Sequence, residues 1–278
     1  MQKKYIYIIL IIFLSGWAFP QKESSNGENI IPVSSMNEAF NEGERLDFKL
    51  SFGWFTIGNA YMEINKNNYT FHNKPNYKVD IYGKTSGLVD WINSVNDHWG
   101  AYIDKKSLLP NMNYRHIREG KYKLDEIITF RQDTNLIERK VKNKKTGKYN
   151  DPQFFESTGN VFDMLGGLLY VRTIDFDKME IGQRFKIKVF FEDTFYDLSI
   201  IYAGKEQIKT GAGKFNAIKV IPEMPDNDLF DGENSITAWF SDDKNKVPLK
   251  FKAEMFIGSA GVELSGYSGL RNTISKIK

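Results

Sequence analysis

The chain has 278 residues, with 38 lysines and arginines against 35 aspartates and glutamates, three histidines and no cysteine. A net charge of +3 is too balanced for a dedicated nucleic-acid binder, which concentrates positive charge to displace counterions from phosphate. The missing cysteine excludes disulfides and lipoprotein acylation, and a chain of this length buries a substantial core without such staples, as one large β domain or two smaller ones.

Lys3 and Lys4 precede an apolar run from Tyr5 to Leu14, and Ser15, Gly16, Trp17 and Ala18 lead into polar sequence near Gln21. A basic start, a short apolar core and small residues at Gly16 and Ala18 predict a secretory signal peptide over residues 1–18. The run falls short of the roughly 20 residues a membrane-spanning helix needs, and no other segment is long and apolar enough to span. The expectation is therefore an exported protein, periplasmic or extracellular, with no transmembrane anchor after cleavage. Loss of Lys3 and Lys4 would leave 36 basic against 35 acidic groups. Residues 19–41, with Ser24, Ser25, Asn26, Gly27 and Pro32, read as a flexible leader, and residues 42–278 as the folded domain.

From Arg45 to Phe52 apolar side chains occupy every second position, which puts Leu46, Phe48, Leu50 and Phe52 on one face of a strand. Gly53 permits a bend or bulge before a second strand from Phe55 to Ile64. The same alternation recurs at Tyr77–Ile81, Phe185–Val189 and Leu249–Met255. It predicts solvent-facing Lys49, Lys186, Lys188, Lys250 and Lys252 opposite buried Phe48, Ile187 and Phe251. One-sided strands belong to antiparallel sheets with one wet face, and about a dozen of them fit sandwich or barrel spacing.

Two segments read as helix. Ser86–Asn93 predicts a short turn capped by Ser86, with Leu88, Val89, Trp91 and Ile92 packed inward. Thr158–Arg172 carries Val161, Phe162, Leu165, Leu168, Leu169 and Arg172 at helical spacing behind a Ser157/Thr158 cap. Gly166 and Gly167 within it fit close packing against a sheet or a kink. The fold class expected is mainly β: curved antiparallel sheets, open barrel or sandwich-like, with one central helix and a second short one. Residues 43–52 align without gaps to 182–191, sharing glycine, arginine, lysine and a final phenylalanine. Either the halves 42–155 and 173–278 are a duplication, or glycine plus a polar residue is a common way to open an amphipathic strand.

Several chemical motifs fail. Gly211-Ala212-Gly213-Lys214-Phe215 has Ile208 and Phe215 where a phosphate loop needs glycine and a hydroxyl, so it reads as a turn between strands at 206–210 and 214–221. Asp226, Asp228, Asp231 and Glu233 are acidic, but Phe230 takes an oxygen-ligand position of a calcium loop. His72, His98 and His116 lack metal-ligand spacing, and no Gly-x-Ser-x-Gly elbow occurs. No catalytic residue, metal site or cofactor follows. The basic run Lys140, Lys142, Lys144, Lys145 and Lys148 around Thr146-Gly147 reads as a solvated hairpin tip, with contact to anionic lipid headgroups as its functional alternative. Trp54, Trp91, Trp99 and Trp239 sit beside a glycine, on a short helix or on strands. They either fill the core or line an apolar ligand site within a curved sheet.

Blocks along the chain resemble a family. They are Gly43-Glu44 before an amphipathic strand, Gly58, Asp97 opening a strand, Leu109-Pro110, Arg118-Glu119-Gly120-Lys121-Tyr122, Gly213-Lys214-Phe215, and Trp239-Phe240-Ser241-Asp242-Asp243 leading to Val247-Pro248-Leu249. In order and spacing they resemble the exported bacterial domain of unknown function 3108 family, from about residue 41 to 264. The resemblance implies an exported, mostly β protein without assigned activity and with no catalytic residues to carry over. The function expected is non-enzymatic: binding an apolar or amphiphilic ligand, such as a lipid, or an envelope protein. The alternatives are an interaction protein without a small ligand and an envelope-polymer hydrolase.

Overall fold

The computed structural model describes residues 37–71, 73–223, 235–256 and 258–277. The signal peptide, most of the leader, His72 and the acidic run 226–233 lie outside the described residues. The leader ends earlier than expected. Ala39 and Phe40 are buried, and Asn37 Nδ2 donates to the Phe40 carbonyl and to the Tyr77 hydroxyl, each at 3.0 Å. Burial of an aromatic ring holds a polar-looking stretch to the domain.

Sixteen strands form one antiparallel sheet among the described residues. They are β1 (Arg45–Phe52), β2 (Phe55–Ile64), β3 (Tyr69–Phe71), β4 (Lys74–Thr85), β5 (Asn96–Asp104), β6 (Pro110–Glu119), β7 (Tyr122–Arg131), β8 (Leu136–Val141), β9 (Gln153–Glu156), β10 (Arg184–Phe191), β11 (Thr194–Thr210), β12 (Gly213–Glu223), β13 (Ile236–Ser241), β14 (Pro248–Met255), β15 (Gly258–Ser268) and β16 (Lys276–Ile277). The order runs β10-β11-β12-β13-β14-β15-β1-β2-β4-β5-β6-β7-β8-β9, with β3 on β4 and β16 on β12. Apart from the β15–β1 contact, which joins the two halves of the chain, it is an up-and-down meander built from local hairpins.

The alternation in sequence becomes alternation in burial. Leu46, Phe48 and Leu50 face inward with Met62 and Ile64 of β2, Val79 and Ile81 of β4 and Ala101 and Ile103 of β5. Lys49 and Lys186 are exposed, whereas Lys188, Lys250 and Lys252 are half-buried. Phe48 and Ile187 are buried as expected, but Phe251 is only half-buried, packed where the two main apolar clusters meet.

The sheet curls until its ends overlap, without closing into a hydrogen-bonded barrel. Phe191 of β10 stacks on Trp99 of β5, ring centroids 5.7 Å apart. Phe190, on the opposite face of β10, meets Phe130 of β7 and Phe155 of β9 at 6.3 and 5.0 Å. Alternation therefore stops at the end of β10, where Val189, Phe190 and Phe191 are all buried, because the inner face of β7–β9 lies over its outer face. The seam is apolar, and it covers an edge that would otherwise offer an unpaired ladder.

Two helices complete the fold. The long one is shorter than its sequence pattern: α2 spans Met164–Val171, preceded by Asp163, which caps it by accepting from the Gly166 amide at 2.7 Å. Ser157 and Thr158 are not the cap. Phe162 is drawn into an extended bridge with Val189, exchanging backbone hydrogen bonds of 2.8 Å with β10, so the chain cannot turn helical before it. The glycine pair packs closely. A Cβ on Gly167 would lie 3.3 Å from Ile187, and one on Gly166 3.2 Å from the Leu108 carbonyl. The short helix α1 covers Leu88–Ile92 and has Gly87, not Ser86, at its N-cap, with no side-chain cap bond. Thr85 organises it instead, donating to Asp90 at 2.7 Å and accepting from the Val95 amide at 2.8 Å.

The two aligned strand starts share one local structure. Gly43 and Gly182 have φ of +89° and +91°, open to glycine at no steric cost. Their amides donate to Ile64 and Tyr202 carbonyls at 2.7 and 2.8 Å, and those residues' amides return to Glu44 and Gln183 at 2.9 Å.

Candidate functional site: an aromatic rim at one end of the sheet

Because every strand pairing in the sheet is antiparallel, the hairpin turns gather at two ends. At the end where β1 passes into β2 lie the tips of the β14–β15, β1–β2, β4–β5, β6–β7 and β8–β9 hairpins, successive in sheet order, and the β10–β11 tip with Glu192 and Asp193. Each of the first five carries an exposed aromatic: Phe256, then Trp54 and Phe55, then Trp91 of α1, then Tyr122, then Tyr149. Trp54 and Trp91 are 86% and 92% exposed, and Phe256 64%. Among the described residues, the remaining exposed large hydrophobics are Phe154 on β9 and Ile181 at the other end. Hairpins recur every two strands, about 10 Å, so five tips extend over roughly 40 Å.

Backbone hydrogen bonds tie two of the tips to their neighbours. The Gly53 amide donates 2.7 Å to the Ser259 carbonyl, tying the β1–β2 turn to β15, and the Trp54 and Phe55 rings stack at 4.0 Å. The Gly120 amide donates 2.8 Å to the Ser94 carbonyl, tying the β6–β7 turn to the chain beyond α1. Lysines surround the rings. Lys84, Lys121, Lys123, Lys142, Lys144, Lys145 and Lys148 are exposed on these tips against Asp90 and Asp151, while Lys252 is paired with Glu254. Lys144 Nζ lies 5.0 Å from the Tyr122 ring centroid, so the basic hairpin leans towards its neighbour.

Beneath the rim the inner face is charged. Asp97 and Glu119 are both buried and hydrogen-bonded to each other. Burial, and for Glu119 the neighbouring Asp97 charge as well, hold the pair above the ordinary carboxylate range. Two carboxyls in direct contact leave no room for a sugar; glycosidase pairs stand about 5 Å or more apart. Next to them Arg115 Nε donates 2.6 Å to Glu126, with its guanidinium 4.9 and 4.5 Å from the Trp99 and Phe191 rings. The void beside Trp99, Arg115 and Phe191 is about 20 Å³, no more than water-sized.

On the outer face, Asp80 accepts from His98 Nε2 at 2.8 Å and from the Tyr114 hydroxyl, and pairs with Lys78 at 3.0 Å. These partners keep its carboxyl below the ordinary value although burial opposes it. His116 pairs with Asp125 at 2.8 Å. Both histidines are thus engaged by aspartate, and no group of metal-ligating side chains forms among the described residues.

At the opposite end, beside the β13–β14 turn, a cleft of about 440 Å³ is lined by Glu38, Arg172, Asp175, Asp177, Asp242 and Lys246, among others. Its wall is a fully buried ion pair. Arg172 Nη1 and Nη2 reach Glu44 Oε1 and Oε2 at 2.6 and 2.9 Å, and Nε and Nη2 both donate 3.1 Å to the Asn245 carbonyl. Asp243 shapes that turn by accepting from Ser241 Oγ and the Asn245 amide. Burial pushes the Lys246 ammonium down.

The four tryptophans expected to share a site occupy three environments. Trp54 and Trp91 stand on the rim, so Trp91 does not pack inward: α1 is only five residues long and turns that ring to solvent. Trp99 is in the core. Trp239 lies half-buried on the sheet, donating 2.6 Å to Glu206 between Lys219 and Lys250. The basic run 140–148 is a hairpin tip as read from sequence, and Gly211-Ala212 turns β11 into β12.

The family profile described as "Protein of unknown function (DUF3108)" matches residues 47–265. The chain belongs to this family. Five of the DUF3108 blocks read in the sequence converge in two places. Gly43-Glu44, Ser241-Asp242-Asp243 and Val247-Pro248 meet around Arg172, with the Val247 amide donating 2.8 Å to Ser241 Oγ. Asp97 and Arg118-Glu119-Gly120 meet beneath the rim, where the Arg118 amide donates 2.7 Å to Asp97. No curated protein matches the chain. Among solved structures, the β-barrel-like protein of domain of unknown function DUF1849 from Brucella abortus superposes with a TM-score of 0.51 at 11% identity, covering 81% of this chain and 96% of that one. The hypothetical protein CT021 from Chlamydia trachomatis gives 0.38 at 8% identity, covering 86% and 93%. The first likeness is one of fold.

Proposed function

We propose that this DUF3108 protein is an exported envelope protein that works by docking through its rim, not by turning over a substrate. One observation carries the reading: five successive hairpin tips present exposed aromatic side chains above a tightly packed inner face. Leaving tryptophan, phenylalanine and tyrosine in water forfeits the burial free energy of large apolar surfaces, and a row of them on successive tips at one end of a sheet marks an interaction site. The basic start, short apolar run, Gly16 and Ala18 support export. An apolar ligand held by the four tryptophans is the weaker reading, because Trp99 stacks on Phe191 with only a water-sized void beside it.

A photo-crosslinking amino acid at position 91, activated in intact cells, tests the docking. Adducts at position 91 that are absent with the probe at exposed Lys186 support it. Equal labelling at the two positions, or none at either, would remove it.

A further inference from the structure

The rim's chemistry distinguishes between kinds of partner. Protein interfaces enrich arginine beside their aromatics and deplete lysine. Here the exposed cations on the five tips are all lysine: seven of them, against Asp90, Asp151 and Glu254 on the same tips and Asp193 on the β10–β11 tip, in a chain whose overall net charge is only +3. The tips are separate points spread along roughly 40 Å, where a protein interface gathers its anchors near one centre. Tryptophan, tyrosine and lysine in one band are the residues that sit at a membrane–water boundary, rings at headgroup level and ammonium groups at the phosphates.

We infer that the rim rests on the surface of a bilayer leaflet carrying anionic phospholipid. Trp54, Phe55, Trp91 and Phe256 enter the headgroup region, and the lysines of the β6–β7 and β8–β9 tips meet the phosphates. The inference rests on the docking reading above and names its partner. The geometry suits it: Trp54 projects from a two-residue turn with Phe55, the first residue of β2, stacked on it, Trp91 from α1 two hairpin strands further on, and the lysines of β6–β9 flank them on one side. No described helix is long and apolar enough to cross a membrane, so the contact is peripheral, additive over several shallow anchors, and dependent on salt.

The test uses the purified protein with vesicles of phosphatidylcholine alone or mixed with phosphatidylglycerol, read by co-sedimentation and tryptophan emission. The expected result is binding to the mixed vesicles only, weakened by salt, with a blue shift that is lost in Trp54→Phe/Trp91→Phe. Substituting Lys142, Lys144, Lys145 and Lys148 by alanine should weaken binding about fivefold for each lysine that reaches the surface. These side chains are exposed, so unchanged thermal melts will confirm that the variants are folded. Equal binding to both vesicles, or binding untouched by the lysine and tryptophan changes, would overturn the inference. Absence of vesicle binding alongside a protein adduct at position 91 would also overturn it while leaving the docking reading intact. Absence of both would end both.

Discussion

Substituting Glu44 by alanine gives the sharpest test of how the fold is held. Arg172 and Glu44 have no exposed side-chain surface, and their two-pronged pair, at 2.6 and 2.9 Å, ties α2's C-terminal end to the start of β1. The guanidinium also sits 5.0 Å from the Phe40 ring centroid and donates to the Asn245 carbonyl, so three separate stretches of chain hold it at once. Removing the carboxylate leaves a buried cation with one backbone acceptor. Such a loss costs about 3–5 kcal/mol. At about 2–4 °C per kcal/mol for a domain of this size, the melting temperature should fall by roughly 6–20 °C. The double variant Glu44→Leu/Arg172→Met should recover most of that, because replacing both charges removes the desolvation penalty along with the attraction. Arg184→Ala, which breaks the half-exposed pair with Glu223 at 3.2 Å, should cost at most about 1 kcal/mol. Urea melts of the four proteins decide the matter. A Glu44→Ala variant within about 1 kcal/mol of the parent would mean that water or a rearranged side chain replaces the carboxylate, and the argument from burial would fail.

The Asp97–Glu119 pair titrates upward on folding, to about 6 and about 8, so the folded state holds protons the unfolded chain releases. Its stabilising contribution is present below the ordinary carboxylate range and is lost as pH rises through those values; melts at pH 5 and pH 9 should show a fall that Glu119→Gln reduces, and a flat profile in the parent would contradict it. Phe190→Ala should cost about 3–5 kcal/mol and open the seam, read as faster amide exchange in β9 and β10; unaltered exchange would show that the ends are held by other contacts. Gly100→Ala places a Cβ 2.3 Å from the Tyr114 ring and 2.7 Å from Asp80, so it should destabilise by about 1–3 kcal/mol, with a shifted His98 resonance as the local signature.

Local sequence set the strand faces, the turns at Gly53, Gly211-Ala212 and the basic 140–148 run, and the mainly β class, because each depends on side chains two residues apart or on a few turn residues. Leu46, Phe48 and Leu50 had to share a face whatever the rest of the chain did, and the lysines of 140–148 had to form a polar tip. It also placed an apolar helical pattern before β10, but not its start. Phe162 looked helical and became extended because β10, which follows it, claimed its backbone. Arg172 looked like part of an apolar stripe and proved a buried cation, since its partner Glu44 lies 128 residues away. The same distance problem concealed the meeting of Asp97 with Glu119, and the rim itself. Trp54, Trp91, Tyr122 and Phe256 are scattered over two hundred residues, and nothing local distinguishes a tryptophan bound for the core, such as Trp99, from one left in water. Only the antiparallel order of the strands sets those tips side by side, and only the curl of the sheet decides which rings have neighbours to bury them.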